Sequence, residues 1–159
     1  MADHTNFDDV LTRAYRRMHR YTCAESSLQA LMELWGLSVE SSWATAGYMG
    51  AIMSGKTTCG LLIGSSIAIS MKCRGNCDSV PEEHERERGL AIEAVSELYS
   101  DFLTTFGSAE CKDLSNTDFS VSDELAEYIA EKKWKSTCDL FLDHVIRKCV
   151  EMEEHGALG

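Results

Sequence analysis

The stretch Thr58-Cys-Gly-Leu-Leu-Ile-Gly-Ser-Ser-Ile-Ala-Ile-Ser-Met-Lys72 decides the fold, because it is almost uncharged and mixes large apolar residues with Gly60, Gly64, Ser65, Ser66 and Ser70. A helix that is apolar nearly all round belongs at the centre of a bundle, with other helices covering it. Thr57 or Thr58 caps its start. Cys59 then falls in the first turn, where unpaired backbone amides and the helix field favour thiolate over thiol, and Lys56 adds to the effect.

Upstream, Gly50-Ala-Ile-Met-Ser-Gly55-Lys56-Thr57 matches the residues of a phosphate-binding loop. Such a loop follows a buried strand and opens a helix, whereas Trp43 to Met53 reads at least as well as a helix capped by Ser41 or Ser42. Its small residues Ala44, Ala46, Gly47, Gly50 and Ala51 permit close approach of another backbone. Nucleotide binding there stays a minor alternative. Cys23 to Trp35 is a second helix with Leu28, Leu31, Met32 and Trp35 inward, stopped by Gly36. Phe7 to Arg20 places Phe7, Val10, Leu11, Ala14, Tyr15 and Met18 on one face. Arg13, Arg16, Arg17 and Arg20 lie on the other, a solvated basic face or an anion site.

Downstream, Cys73-Arg-Gly-Asn-Cys77 reads as a turn whose sulfurs could bind one metal, pair, or fill space. Ser79-Val-Pro-Glu82 opens a long helix through Leu90, Ile92, Ala94, Val95, Leu98, Tyr99, Phe102 and Phe106 that ends near Gly107, and His84 is a solvated residue on it. Cys111 lies in the connector beyond, which can carry it toward Cys59. Ser120 or Ser122 caps a last helix running from Leu125 through Trp134 and Cys138 to Met152. Cys138 and Cys149 share a face of it but stand about 16 Å apart, too far for one ion. Trp35, Trp43 and Trp134 are core or partly buried anchors.

The 159 residues and 17.7 kDa suit a single helical domain over 1–159, an all-α bundle of about five or six helices. Fifteen Lys and Arg against 26 Asp and Glu leave a net charge of -11, which disfavours nucleic acid and anionic membrane as partners. The acidity is concentrated after Cys77. Gly60 to Met71 is too short to cross a bilayer, and the polar, acidic start from Met1 to Asp9 is no export signal, so the expected compartment is the cytoplasm. Seven Cys, with no CxxC pair and no His-rich cluster, offer no zinc ribbon or ferredoxin pattern. In a reducing compartment an odd set of thiols calls for an explanation other than permanent disulfides.

Four of those cysteines carry a resemblance: Cys23 in Tyr-Thr-Cys-Ala-Glu-Ser, Cys59 in Thr58-Cys-Gly-Leu-Leu-Ile-Gly64, Cys111 after Phe106-Gly107, and Cys138 before Phe141, Leu142 and Val145. In order and spacing the chain resembles the C_GCAxxG_C_C family, named for redox activity. The resemblance implies that Cys23, Cys59, Cys111 and Cys138 converge as a sulfur cluster. Leu61 stands where the family pattern has Ala, a larger side chain that narrows a pocket. Cys73, Cys77 and Cys149 lie outside the pattern.

Three readings follow. In the first, Cys59 is the low-pKa attacking thiol of a thiol–disulfide couple, and Cys23, Cys111 or Cys138 resolves the mixed disulfide with a redox partner protein. In the second, the same four sulfurs hold an iron–sulfur cluster or a soft metal ion. The third is a non-catalytic structural or partner-binding bundle; separately, exposed Trp or Met faces could support a homo-oligomer.

Overall fold

The computed structural model describes residues 6–20, 22–74 and 80–159. Cys77, Ser79 and the segment before Asn6 fall outside them, and with them the Cys73–Cys77 pairing, the Ser79 cap and most of the acidic start. Eight α-helices and two 3₁₀ segments make up the described chain: α1 Phe7–Arg17, α2 Cys23–Leu34, a 3₁₀ segment Val39–Thr45, α3 Tyr48–Ile52, α4 Gly60–Cys73, α5 Pro81–Phe106, α6 Cys111–Ser115, α7 Ser122–Ala130, a 3₁₀ segment Lys133–Lys135, and α8 Cys138–Glu154. No sheet forms among the described residues; one isolated antiparallel bridge joins Thr58 to Glu110. The fold is all-α and bundle-like. Among the described residues, no helix is long and apolar enough to cross a membrane.

Local chemistry sets the helix ends. Thr22 and Glu25 form a capping box: the Glu25 amide donates to Thr22 Oγ1 at 3.2 Å, and the Thr22 amide donates to Glu25 Oε2 at 2.9 Å. Gly36, at φ +64°, ends α2, and Gly107, at φ +78°, ends α5, because the left-handed conformation costs glycine nothing. Pro81 begins α5 where no amide proton is required.

The core is assembled by α4 packing on α2, α5 and α8. Leu28, Leu31, Leu62, Ile69, Leu98, Phe102, Leu142 and Ile146 are all fully buried in it. Removing each from water stabilises the fold by about 1.5–3 kcal/mol. The closest approach is between α2 and α4. A Cβ on Gly64 would collide with the Ala24 carbonyl oxygen and Ser27 Oγ, and one on Gly60 with the sulfur of Cys23. Ser27 Oγ donates to the Leu61 carbonyl at 2.9 Å, so this polar side chain is satisfied inside the dry contact.

Several expectations are corrected. α4 has a wet edge, because Ile67 and Ser70 are exposed. Trp43 to Met53 is not one helix: the 3₁₀ segment ends at Thr45 and α3 starts only at Tyr48, with Ser41 and Ser42 inside the 3₁₀ segment rather than at a cap. Gly47 and Gly50 have nothing within 4 Å of a built Cβ, so the small residues there serve no close crossing. Trp43 is 75% exposed, unlike Trp35 at 8%. The Gly50 to Thr57 stretch runs from α3 through a turn at Gly55, φ +74°, with no strand before it, and so lacks the frame of a phosphate-binding loop. Ile92 on α5 is exposed. The expected last helix is broken at Lys132, φ +53°, into α7 and α8.

Candidate functional site

The break before α8 has a consequence for the cysteines. Cys138 becomes the first residue of α8, as Cys23 is of α2 and Cys111 of α6, while Cys59 is the N-cap of α4. All four sulfurs named by the sequence pattern therefore sit at helix starts. Thr57 to Cys59 pairs with Ala109 to Cys111: the Cys59 amide donates to the Ala109 carbonyl at 2.7 Å, and the Cys111 amide to the Thr57 carbonyl at 2.8 Å. This clasp pins the starts of α4 and α6 side by side. Cys23 is brought in by the Gly60 contact, since its sulfur occupies the place a side chain at position 60 would take.

The site lies where the main core meets a smaller apolar cluster. Ile52, Phe119 and Tyr128 form that cluster, and Cys23, Cys111 and Cys138 border it, while Cys59 belongs to the main core. Two tyrosines flank the sulfurs. Tyr128 Oη lies 3.1 Å from Cys138 Sγ, and Thr137 Oγ1 lies 3.7 Å from it. On the other side Tyr48 donates to the Thr58 carbonyl at 2.7 Å and accepts from Thr57 Oγ1 at 2.6 Å.

Burial governs the protonation of the cluster. Desolvation pushes the Cys59 thiol up to about 12, and the neighbouring sulfurs of Cys138 and Cys111 add to the rise, against the amides of Leu61 and Leu62. Cys111 is likewise pushed up to about 12, by burial and then by Cys138. Cys23 is raised well above its ordinary value by burial and then by Cys59, Cys138 and Cys111. The expected activation of Cys59 by its helix start is thus outweighed by loss of water around it. Lys56 is exposed; the charges that bear on Cys59 are those of other cysteines. Cys138 is raised by burial too, but it is the sulfur that the hydroxyls of Tyr128 and Thr137 pull back down. Tyr128 itself stays protonated, because burial and the nearby sulfurs push its phenol far up. Its hydroxyl keeps a proton to donate whenever Cys138 ionises.

The charge of Cys138 raises Cys23, Cys59 and Cys111, and Cys138 itself is the sulfur that neighbouring hydroxyls act to lower. Among the described residues, no group of three or more His, Cys, Asp or Glu side chains is arranged to hold a metal ion. The iron–sulfur and soft-metal reading is corrected on that ground: the sulfurs feel one another's charge, but ligation requires approach to about 2.3 Å of one ion. Cys23, Cys59, Cys73, Cys111, Cys138 and Cys149 are all free thiols. Cys73 and Cys149 lie apart from the cluster as buried core residues.

Tyr128 and Tyr48 were not singled out from the sequence. The available signal was the Thr-Cys dipeptide, which recurs at Thr22-Cys23, Thr58-Cys59 and Thr137-Cys138 and marks three helix starts with the same residue pair.

An all-α bundle whose four pattern cysteines stand at helix starts is a cysteine-rich helical domain. Residues 21–152 match the sequence model of the family described as "Putative redox-active protein (C_GCAxxG_C_C)", and the chain belongs to that family. No curated protein and no solved structure matches it.

Proposed function

We propose that the chain is a thiol–disulfide exchange protein in which Cys138 is the attacking sulfur and Cys59 resolves. The observation that carries this reading is the Tyr128 phenol, held 3.1 Å from Cys138 Sγ at the start of α8 and within electrostatic reach of Cys111 and Cys23. The attacking role passes from Cys59 to Cys138, because a hydroxyl donor and a helix start act on Cys138 together. Cys59 suits the resolving role, since Cys138 is the sulfur whose charge weighs most on it.

The Cys138 thiolate attacks one sulfur of a substrate disulfide; a protein–substrate S–S bond forms, the substrate S–S bond breaks, and the leaving thiolate takes up a proton. Cys59 then gives up its proton and attacks Cys138 Sγ, which releases the second substrate thiol and leaves a Cys59–Cys138 disulfide. In sum, a protein dithiol and a disulfide become a protein disulfide and two thiols. A partner dithiol reverses the sequence, with the direction set by the relative potentials. Tyr128 is a positioning residue that stabilises the Cys138 thiolate before attack and between steps.

Equilibration of the folded protein in a graded thiol–disulfide buffer tests this reading through free-thiol counts. Two thiols should be lost and regained together as a two-electron couple, and Cys138→Ser should abolish the couple. A folded protein whose thiols do not change across the buffer range would overturn it.

A further inference from the structure

Exchange at Cys138 requires a second sulfur to touch it. Loss of water is the largest influence on all four pattern thiols, so the cover over Cys138 has to move before a substrate disulfide arrives. That cover is the smaller apolar cluster of Ile52, Phe119 and Tyr128, against which Cys23, Cys111 and Cys138 pack. Its members are held with unequal firmness. Ile52 closes α3, and Tyr128 is the buried residue of α7, tied by its hydroxyl to Cys138. Phe119 stands on neither helix. It comes from the short connection between α6 and α7, where Asn116, Ser120 and Val121 are exposed and Thr117 and Phe119 turn inward. Its ring is 7% exposed and meets Tyr128 edge-on with centres 4.9 Å apart.

A polar network at the surface fastens this loop. Lys112 Nζ donates to Asp118 Oδ2 at 2.6 Å, and the Ser120 amide donates to Asp118 Oδ1 at 3.0 Å, as does the Ser120 hydroxyl. The Asp118 amide donates to Glu124 Oε2 at 2.7 Å. Gly55 is the seat below, since a Cβ there would strike Asp118 Oδ1 and Ser120 Oγ. Water competes for each of these exposed partners, so each bond is weak singly. The helix that carries Cys138 is anchored differently, by Leu142, Val145 and Ile146 in the main core, all fully buried. Local opening therefore begins at the loop and not at α8.

We infer that the loop Asp118–Val121 is the gate through which a disulfide reaches Cys138, with Phe119 as its plug and the Asp118 network as its latch. The inference rests on the thiol–disulfide reading for its substrate and names the side chain that limits the size of disulfide admitted. Tyr128 lies on α7 beyond the loop, so withdrawal of Phe119 uncovers the sulfur and leaves the phenol beside it.

The test is alkylation of the reduced, folded protein by iodoacetamide and by the much bulkier fluorescein maleimide, with the rates at Cys138 and Cys149 resolved by peptide mass mapping. Cys138 should react with a shallow dependence on added urea, as local opening requires, and Cys149 with the steep dependence of global unfolding. Asp118→Ala should raise the Cys138 rate relative to Cys149 by about fivefold, and Lys112→Gln by about twofold. Phe119→Ala should raise the maleimide rate at Cys138 more than the iodoacetamide rate, a change that a general loss of stability does not produce. Equal urea dependence at Cys138 and Cys149, or a Cys138-to-Cys149 ratio that Asp118→Ala and Phe119→Ala both leave unchanged, would overturn the gate while thiol exchange stands. If the ratio moves but the thiols ignore a graded thiol–disulfide buffer, the exchange reading fails and the gate stands as the route to Cys138.

Discussion

Cys149 and Cys138 are two cysteines of one helix with opposite situations. Cys149 is fully buried among the apolar side chains of the main core, where desolvation raises its thiol and only the charge of Lys148 acts the other way. Cys138 opens the same helix, beside a phenol, a threonine hydroxyl and three other sulfurs. Burial does not separate the two, since both are largely cut off from water. On the proposed reading, the difference is the supply of donors to the sulfur and the presence of a second sulfur to complete a disulfide.

The largest effect should come from disturbing the close α2–α4 contact, which also seats Cys23 beside Gly60. Gly64→Ala drives a Cβ into the Ala24 carbonyl, which cannot yield without moving α2 from α4. It should cost about 3 kcal/mol, read as a large drop in denaturation midpoint. Next, Cys149→Ser places a hydroxyl in the apolar core and should cost about 2 kcal/mol, whereas Cys138→Ser should destabilise less and remove exchange. Equal losses of stability, or exchange lost in both, would dissolve the distinction.

Tyr128→Phe should then raise the apparent pKa of the attacking thiol by about one unit and slow its alkylation about tenfold near neutral pH. The lag should close at high pH, where the thiolate forms without help, and a merely structural tyrosine would leave that profile in place. Thr22→Ala, which removes the box at the start of α2, should cost about 1 kcal/mol.

The raised thiols also set a pH dependence. Cys59 and Cys111 lie at about 12 in the fold against an ordinary value of 9.0. Their protonated forms favour the folded state fully below pH 9, and that contribution is lost as the pH climbs from 9 to 12, because the unfolded chain sheds these protons first. The melting temperature of the reduced protein should fall over that window, and less steeply in Cys59→Ala.

Much of the bundle was legible because its punctuation is local. Gly36 and Gly107 stop α2 and α5, Pro81 starts α5, and the face of Val10, Leu11 and Ala14 is buried as its periodicity requires. The break between α7 and α8 was not, because it turns on Lys132 in a left-handed conformation with no Gly or Pro to announce it. That one break decides whether Cys138 sits inside a helix or at its start. The four pattern cysteines were visible from their order, but the balance between helix field and burial at Cys59 depends on what covers the sulfur, which spacing does not record. Trp43 shows the same limit, since an aromatic in a short 3₁₀ segment carries no periodicity to say which way it faces.

On the proposed reading, redox chemistry belongs to the four sulfurs at helix starts, Cys59 among them although it lines the core, and packing to Cys73 and Cys149. Mapping the disulfide formed when the reduced, folded protein is oxidised by one equivalent of a small disulfide tests it most directly. A single intramolecular bond joining Cys138 to Cys59 is expected, with Cys73 and Cys149 alkylated only after unfolding. A bond that includes Cys73 or Cys149, or oxidation that leaves Cys138 free, would contradict it.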